Sequence, residues 1–260
     1  MMLVSLPRNT GSAAKWGGIT IGAGEIVMLG AGGRAFTRTD GPCGWGSIWL
    51  PATELARYGA PLTGAVFAVR AWRPRPAMSR HLRHLHSAAI RLVERGSNAL
   101  TDKEAAHGLE QQLIEAVVDC LATGPAIDIP PATCERQDVA LRFEALLQAQ
   151  PERSFRMPEI CAALGISART LHLSCDEQLG MGPAEYVRRR RMQLVHRALR
   201  RKNPDKTTIS AVARHYGFRS LGHFAADYHA LYGELPTATL RRGSGHGIAR
   251  LNLRNTRRRA

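Results

Sequence analysis

The chain has 260 residues, 44% of them hydrophobic, and a formal net charge of +15. That length holds two ordinary domains with filled cores. Its five cysteines (Cys43, Cys120, Cys134, Cys161, Cys175) are odd in number and form no CxxC pair, which argues against a disulfide framework or structural zinc and for a reducing compartment. No stretch approaches the roughly 18 apolar residues of a membrane span. The opening MMLVSLPRNTGSAAKWGG lacks the charged and long apolar regions of a secretory signal. The expectation is a cytoplasmic protein with no membrane partner.

Charge divides the chain. Residues 1–152 hold 15 Lys/Arg against 14 Asp/Glu, whereas residues 153–260 hold 21 against 7. An excess confined to one half points to a polyanionic partner for that half.

In chain order, residues 1–75 read as short apolar segments (Gly18–Ile21, Glu25–Leu29, Ser47–Leu50, Ala65–Ala71) separated by Gly/Pro/Asp clusters, which suits a small sheet or open barrel. Residues 77–96 switch to helical period through Met78, Leu82, Leu85, Ala89, Ile90 and Val93. Thr101-Asp102-Lys103-Glu104 reads as a capping box opening a helix with Ala105, Leu109, Leu113, Ala116, Val117 and Leu121 on one face. This pair of helices is expected to cover the sheet or to form a dimer surface. TGPAIDIPPAT, from Thr123 to Thr133, is proline-rich and reads as a linker, 123–137 in all. Residues 138–242 read as almost all helix. The tail 243–260 ends in Arg257-Arg258-Arg259 and is expected to be disordered and basic.

Two stretches in the helical half share one pattern. In Thr208–Pro236 a short helix carries Ile209, Val212, Ala213 and Tyr216, and Gly217 marks a turn that wants positive φ. A second helix follows with Leu221, Phe224, Ala225, Tyr228 and Leu231. Upstream, Pro158–Leu164 forms a short helix ended by Gly165, and Ser167 caps the next helix, Ala168–Cys175. Two helices joined by a glycine turn are the shape of a helix-turn-helix. A helix from Pro183 to about Arg200 separates the two. It is expected to bury Val187, Leu194, Val195, Ala198 and Leu199 and to expose Arg188, Arg189, Arg190, Arg197 and Arg200. At 1.5 Å per residue it spans about 27 Å, near the ~34 Å between successive major-groove faces.

Residues 138–242 closely resemble the AraC/XylS family of bacterial transcription regulators. The resemblance rests on Leu164-Gly165-Ile166-Ser167-Ala168-Arg169-Thr170-Leu171, Leu179-Gly180, Pro183-Ala184-Glu185-Tyr186, Val212-Ala213, Tyr216-Gly217-Phe218, Phe224, Tyr228, Tyr232-Gly233 and Pro236. It implies an α+β protein: a β-rich N-terminal regulatory or dimerisation domain (1–122) with two helices, then an all-α domain of two helix-turn-helix motifs and a linker helix. The N-terminal half is similar to a cupin-like sensor with its first strands missing or reduced.

The function implied is sequence-specific DNA binding in two adjacent major grooves to regulate transcription. Double-stranded DNA is the implied partner, with RNA polymerase, a second copy and a small-molecule effector left open. By position Arg169, His172 and Leu173 would face bases in the first motif, and Ser220, Leu221, Gly222, His223 and Ala226 in the second, with Arg188 and Arg189 on phosphates. Arg and His can bond base edges, whereas Leu and Ala can only pack on thymine methyls. Direct readout is therefore expected to be sparse and phosphate contact correspondingly important.

No cofactor, metal or catalytic residue is expected. His81 and His84 share a helix face that reads as solvated surface, and residues 1–80 contain no histidine for a cupin metal site. His172 and His223 have no triad partner. Cys43 reads as a plain turn cysteine, and Trp16, Trp45, Trp49 and Trp72 as sheet core. The alternative left open is a DNA-binding region fused to a repair-type enzymatic domain.

Overall fold

The computed structural model describes residues 2–7, 13–58, 69–95, 102–201 and 207–243. Strands β1 (Met2–Pro7), β4 (Ile26–Leu29), β6 (Trp45–Leu50) and β7 (Val69–Trp72) form an antiparallel sheet in the order β6-β1-β4-β7. A second sheet has the order β3-β2-β5, from β2 (Ala14–Trp16), β3 (Ile19–Ile21) and β5 (Thr37–Thr39). Helices follow: α1 (Ala52–Arg57), α2 (Pro76–Glu94), α3 (Lys103–Thr123), α4 (Pro131–Ala149), α5 (Met157–Leu164), α6 (Ala168–Leu179), α7 (Pro183–Arg201), α8 (Ile209–His215), α9 (Leu221–Tyr232) and α10 (Pro236–Gly243). The fold is α+β, with strands confined to the N-terminal part.

The described chain divides into two compact units, one drawn from Met1–Glu144 with Leu164–Gly182, the other from Ala145–Ala163 with Pro183–Ala260. In the first unit, β1 sits between two neighbours and alternates by the period-two rule. Met2, Val4 and Leu6 join Ile26, Met28 and Leu50 in a core closed by Leu55, Leu82, Ile114, Val117 and Leu121 from α1–α3. The opposite face packs Val27, Val69 and Ala71 against Ala14, Trp16, Ile19 and Ile21.

Several elements depart from the sequence reading. MLVSLP is a central strand, buried at Met2, Val4, Ser5, Leu6 and Pro7, and Ser5 shares a hydroxyl hydrogen bond of 3.0 Å with Ser47 on β6. The cap of α3 is Asp102, whose carboxylate accepts from the Glu104 N–H at 3.0 Å; Thr101 lies outside the described residues, as do 65–68 of the last expected strand and most of the tail. Within the expected linker 123–137, Ala126 bridges to Trp72 and the Ile127 N–H donates to the Ala71 carbonyl at 2.8 Å. Ile127 and Ile129 pack on the second core, and Pro131 then occupies the first turn of α4, where its missing N–H costs nothing. Trp16 and Trp45 meet at 5.4 Å and Trp72 is core, but Trp49 is 61% exposed. Cys43 accepts from the Trp45 indole N–H at 3.1 Å.

The two-residue hairpin β2–β3 depends on Gly17 (φ 55°) and Gly18 (φ 82°), the two positive φ values of a type I′ turn. A Cβ on Gly18 would stand 2.5 Å from Gln178 Nε2 and 2.9 Å from the Thr133 methyl. Gly18→Ala is expected to lower the stability of the first unit by about 1–3 kcal/mol, read as a shift of the denaturation midpoint at unchanged m-value; an unaltered midpoint would show that the hairpin tolerates a side chain there.

Candidate nucleic-acid interface

The first helix pair turns at Gly165 (φ 67°), and the Ser167 side chain caps α6 by accepting from the Thr170 N–H at 3.0 Å. Leu171, Ser174, Cys175 and Gln178 are the buried residues of α6. Arg169, His172 and Leu173 lie on its exposed side, Leu173 at 45%. Asp176, at helical spacing from His172 and Leu173, is exposed on the same side. It escaped the sequence reading, and a carboxylate there can accept from a cytosine amino group but not from phosphate. The far end of α6 is fastened within the first unit. Arg136 pairs with Glu177, Arg38 donates to the Asp176 carbonyl at 3.4 Å, and α6 closes on Gly180 in the left-handed region (φ 70°).

The second pair turns at Gly217, whose φ is 84°. A Cβ there would meet Ser154 Oγ at 2.4 Å. Thr208 caps α8 through the Ala211 N–H at 3.2 Å. Helix α9 buries Phe224 and Tyr228 against Met192, Val195 and Leu199 of α7, with Val212, Ala213 and Leu240 completing the core. Gly222, His223 and Ala226 are exposed, and so is His229, which shares their face by spacing. Gly222 has open space where a Cβ would stand. Ser220 stands at the N-cap and its Oγ lies 3.0 Å from His223 Nδ1. Leu221 packs instead on the core, because it sits three and seven residues before Phe224 and Tyr228.

Helix α7 buries Val187, Met192, Val195 and Leu199. Two of its arginines are matched: Arg188 reaches Asp227 on α9 at 2.5 Å and Glu185 at 3.6 Å, and Arg189 reaches Glu185 at 2.7 Å. The Arg188–Asp227 pair holds α9 to α7 and the other two lie within α7, so Arg188 and Arg189 are half-exposed ion-pair partners rather than unencumbered cations. Burial lowers the pKa of the Arg191 guanidinium.

A polar chain runs beneath α9. His196 Nδ1 lies 2.7 Å from the Tyr228 hydroxyl, Tyr228 donates to Thr239 Oγ1 at 2.8 Å, and Thr239 donates to Glu234 at 2.7 Å. Each hydroxyl has one proton to give, so His196 must be the Nδ1–H tautomer donating to Tyr228. Glu234 ends the chain, paired with Arg242 and held below the usual carboxylate range chiefly by the Thr239 hydroxyl. Burial pushes the Tyr228 hydroxyl up to about 12 and pulls His196 down. The buried thiols of Cys120 and Cys175 are likewise pushed up to about 12 by desolvation, which leaves almost no thiolate near neutral pH.

Comparison with known proteins bears on residues 160–242, which match a family model described as a helix-turn-helix domain. The chain is 33% identical to a probable AraC family transcriptional regulator from Rhodopseudomonas palustris CGA009, covering 97% of that solved chain and 41% of this one, with a TM-score of 0.38. The chain belongs to the AraC/XylS family. Two Pseudomonas putida proteins, XylDLEGF operon transcriptional activator 2 and XylDLEGF operon transcriptional activator, are each 30% identical, over 99 and 102 residues. Each alignment spans 38% of this chain, and the chain covers 63% and 32% of those relatives' own lengths. The shared part is the AraC-type helix-turn-helix DNA-binding region. No helix among the described residues is long and apolar enough to cross a membrane.

Two outcomes follow from the polar chain. Tyr228→Phe removes its central hydroxyl and is expected to cost about 1–3 kcal/mol in urea unfolding followed by helical circular dichroism; a cost near zero would contradict the hydrogen-bond assignment. Because the folded pKa of His196 lies below its ordinary value of 6.5, the unfolded chain binds more protons in acid. Its contribution is therefore intact above about pH 6.5 and lost as pH falls through the lowered value. His196→Gln should flatten that part of the stability profile, and a profile with the same slope would assign it to another group.

Proposed function

We propose that this chain is a sequence-specific transcription regulator that reads duplex DNA with α6 and α9 in two successive major grooves. The observation that carries the reading is the pair of capped helices within or beside the matched region, each with a small exposed face: Arg169, His172 and Leu173 on α6, and Gly222, His223 and Ala226 on α9. Helix α7, which separates the two motifs in the chain, is about 28 Å long at 1.5 Å per residue, close to the ~34 Å groove repeat. With Arg169 the one long donor among the expected base contacts, it supplies most of the direct readout, by the bidentate fork that guanine N7 and O6 accept.

Residues 1–122 serve in this reading as a regulatory and dimerising domain. Where Val69 and Arg70 of this span meet residues 126–141, a cleft of about 540 Å³ lined by Ile127, Ile129 and Leu141 together with the charged Arg70, Asp128 and Asp138 has the size of a small-molecule site. It supports an effector of metabolite size. Activation of transcription extends to this chain what the names of the Pseudomonas relatives state for those proteins.

The test is a duplex selected from random sequence with the full chain. Wild-type protein should prefer it to random DNA by at least about a thousandfold. Arg169→Ala should weaken the selected site by about 1–3 kcal/mol and relax one guanine position. Equal affinity for selected and random DNA would end the proposal.

A further inference from the structure

Helix α2 lies outside both motifs and carries a basic stripe whose arginines meet no carboxylate among the described residues. Arg80, His84, Arg91 and Arg95 are exposed and Arg83 half-buried. Their spacing of three, four, seven and four residues places them along one face, opposite Leu82, Ser79 and His86, which are buried. From Arg80 to Arg95 the stripe runs about 22 Å. Glu94 is the one carboxylate in the helix.

Some surface arginines elsewhere in the molecule face carboxylates: Arg136 faces Glu177, Arg142 faces Asp138, and Arg188 faces Asp227. On α2 none of Arg80, Arg83, Arg91 and Arg95 reaches a carboxylate at ion-pair distance among the described residues. Arg80 and Arg83 instead donate through Nε to the carbonyls of Pro76 and Ser79 at 3.2 and 3.3 Å, which lays both stems along the helix. Like charges at helical neighbour spacing repel and weaken the helix that carries them. A polyanion laid along the stripe relieves that repulsion and releases its own counterions.

We propose that the outer face of α2 binds the phosphate backbone of duplex DNA flanking the site that the helix-turn-helix motifs read. The proposal rests on the DNA-reading function above. It gives the N-terminal part, nearly neutral overall at 15 Lys/Arg against 14 Asp/Glu over residues 1–152, a sequence-independent share in affinity. Helix α2 belongs to the same compact unit as α6. Phosphate is favoured over an acidic protein groove because the stripe presents cations in a row with no apolar anchor among them.

The experiment uses the full chain and two duplexes carrying the selected site, one with long flanks and one trimmed to the site, titrated between about 50 and about 200 mM salt. Arg80→Gln with Arg91→Gln should reduce the slope of log affinity against log salt by about 1–2 on the long duplex, near 0.9 for each phosphate that the variant no longer neutralises. On the trimmed duplex the same variant should match wild type. Arg57→Gln with Lys103→Gln removes equal charge from the same unit and should leave the slope unchanged. An unchanged slope for the α2 variant overturns the proposal, as does an equal drop in the control pair, which would reduce the effect to net charge. A variant that keeps its slope but loses transcription on a promoter template would assign the stripe to an acidic protein and overturn it too. Should wild type itself fail to distinguish selected from random DNA, the DNA-reading function falls first, a separate outcome.

Discussion

The seating of α9 on α7 is the constraint on which the DNA-binding region depends. Phe224 and Tyr228 are fully buried between Phe218, Tyr232, Met192 and Val195, and the Tyr228 hydroxyl cannot be buried without partners. His196 and Thr239 supply them, and through Thr239 the chain reaches Glu234 and Arg242, so α10 is fixed by the same bonds. Tyr232 stacks on His196 at 4.2 Å, and Arg188 closes the outer side through Asp227. With those contacts made, the face bearing Gly222, His223 and Ala226 is presented to solvent. The exposed face is small because the scaffold beneath it takes most of the helix.

Within the first unit, α6 is held through different chemistry. Arg38 and Arg136 meet the C-terminal turn of α6, where exposed carbonyls and the negative end of the helix dipole favour cations. The glycines of the β2–β3 hairpin leave room for Gln137 and Gln178, and Gln137 donates to the Arg34 carbonyl at 3.1 Å. A hairpin, a sheet edge and two helices are thus joined by polar contacts, which cost less to rearrange than a sealed apolar core.

Local signals made much of this legible from sequence. Gly165, Gly217 and Ser167 announce their turns and cap because backbone conformation at those points depends on a single residue. The helical periods of α2, α3 and α7 survive because one face of each is buried. Tertiary pairing was less visible. Arg188 and Arg189 read as phosphate contacts until Asp227 and Glu185 stand beside them, and Leu221 reads as a base contact until its register with Phe224 and Tyr228 is counted. MLVSLP hid a central strand because burial on both faces removes the alternation that marks a half-exposed one. In TGPAIDIPPAT the prolines suggested a linker, yet Pro131 starts α4 and the residues before it extend the sheet.

The central claim is that one chain places α6 and α9 in two major grooves of the same duplex. Guanine-N7 methylation interference on the selected site, performed with a single chain per duplex, measures this directly. Two clusters of interfering guanines are expected, separated by about ten base pairs, one helical turn, with the cluster assigned to α6 lost in Arg169→Ala and the other retained. A single cluster, or two that vanish together in that variant, would contradict it.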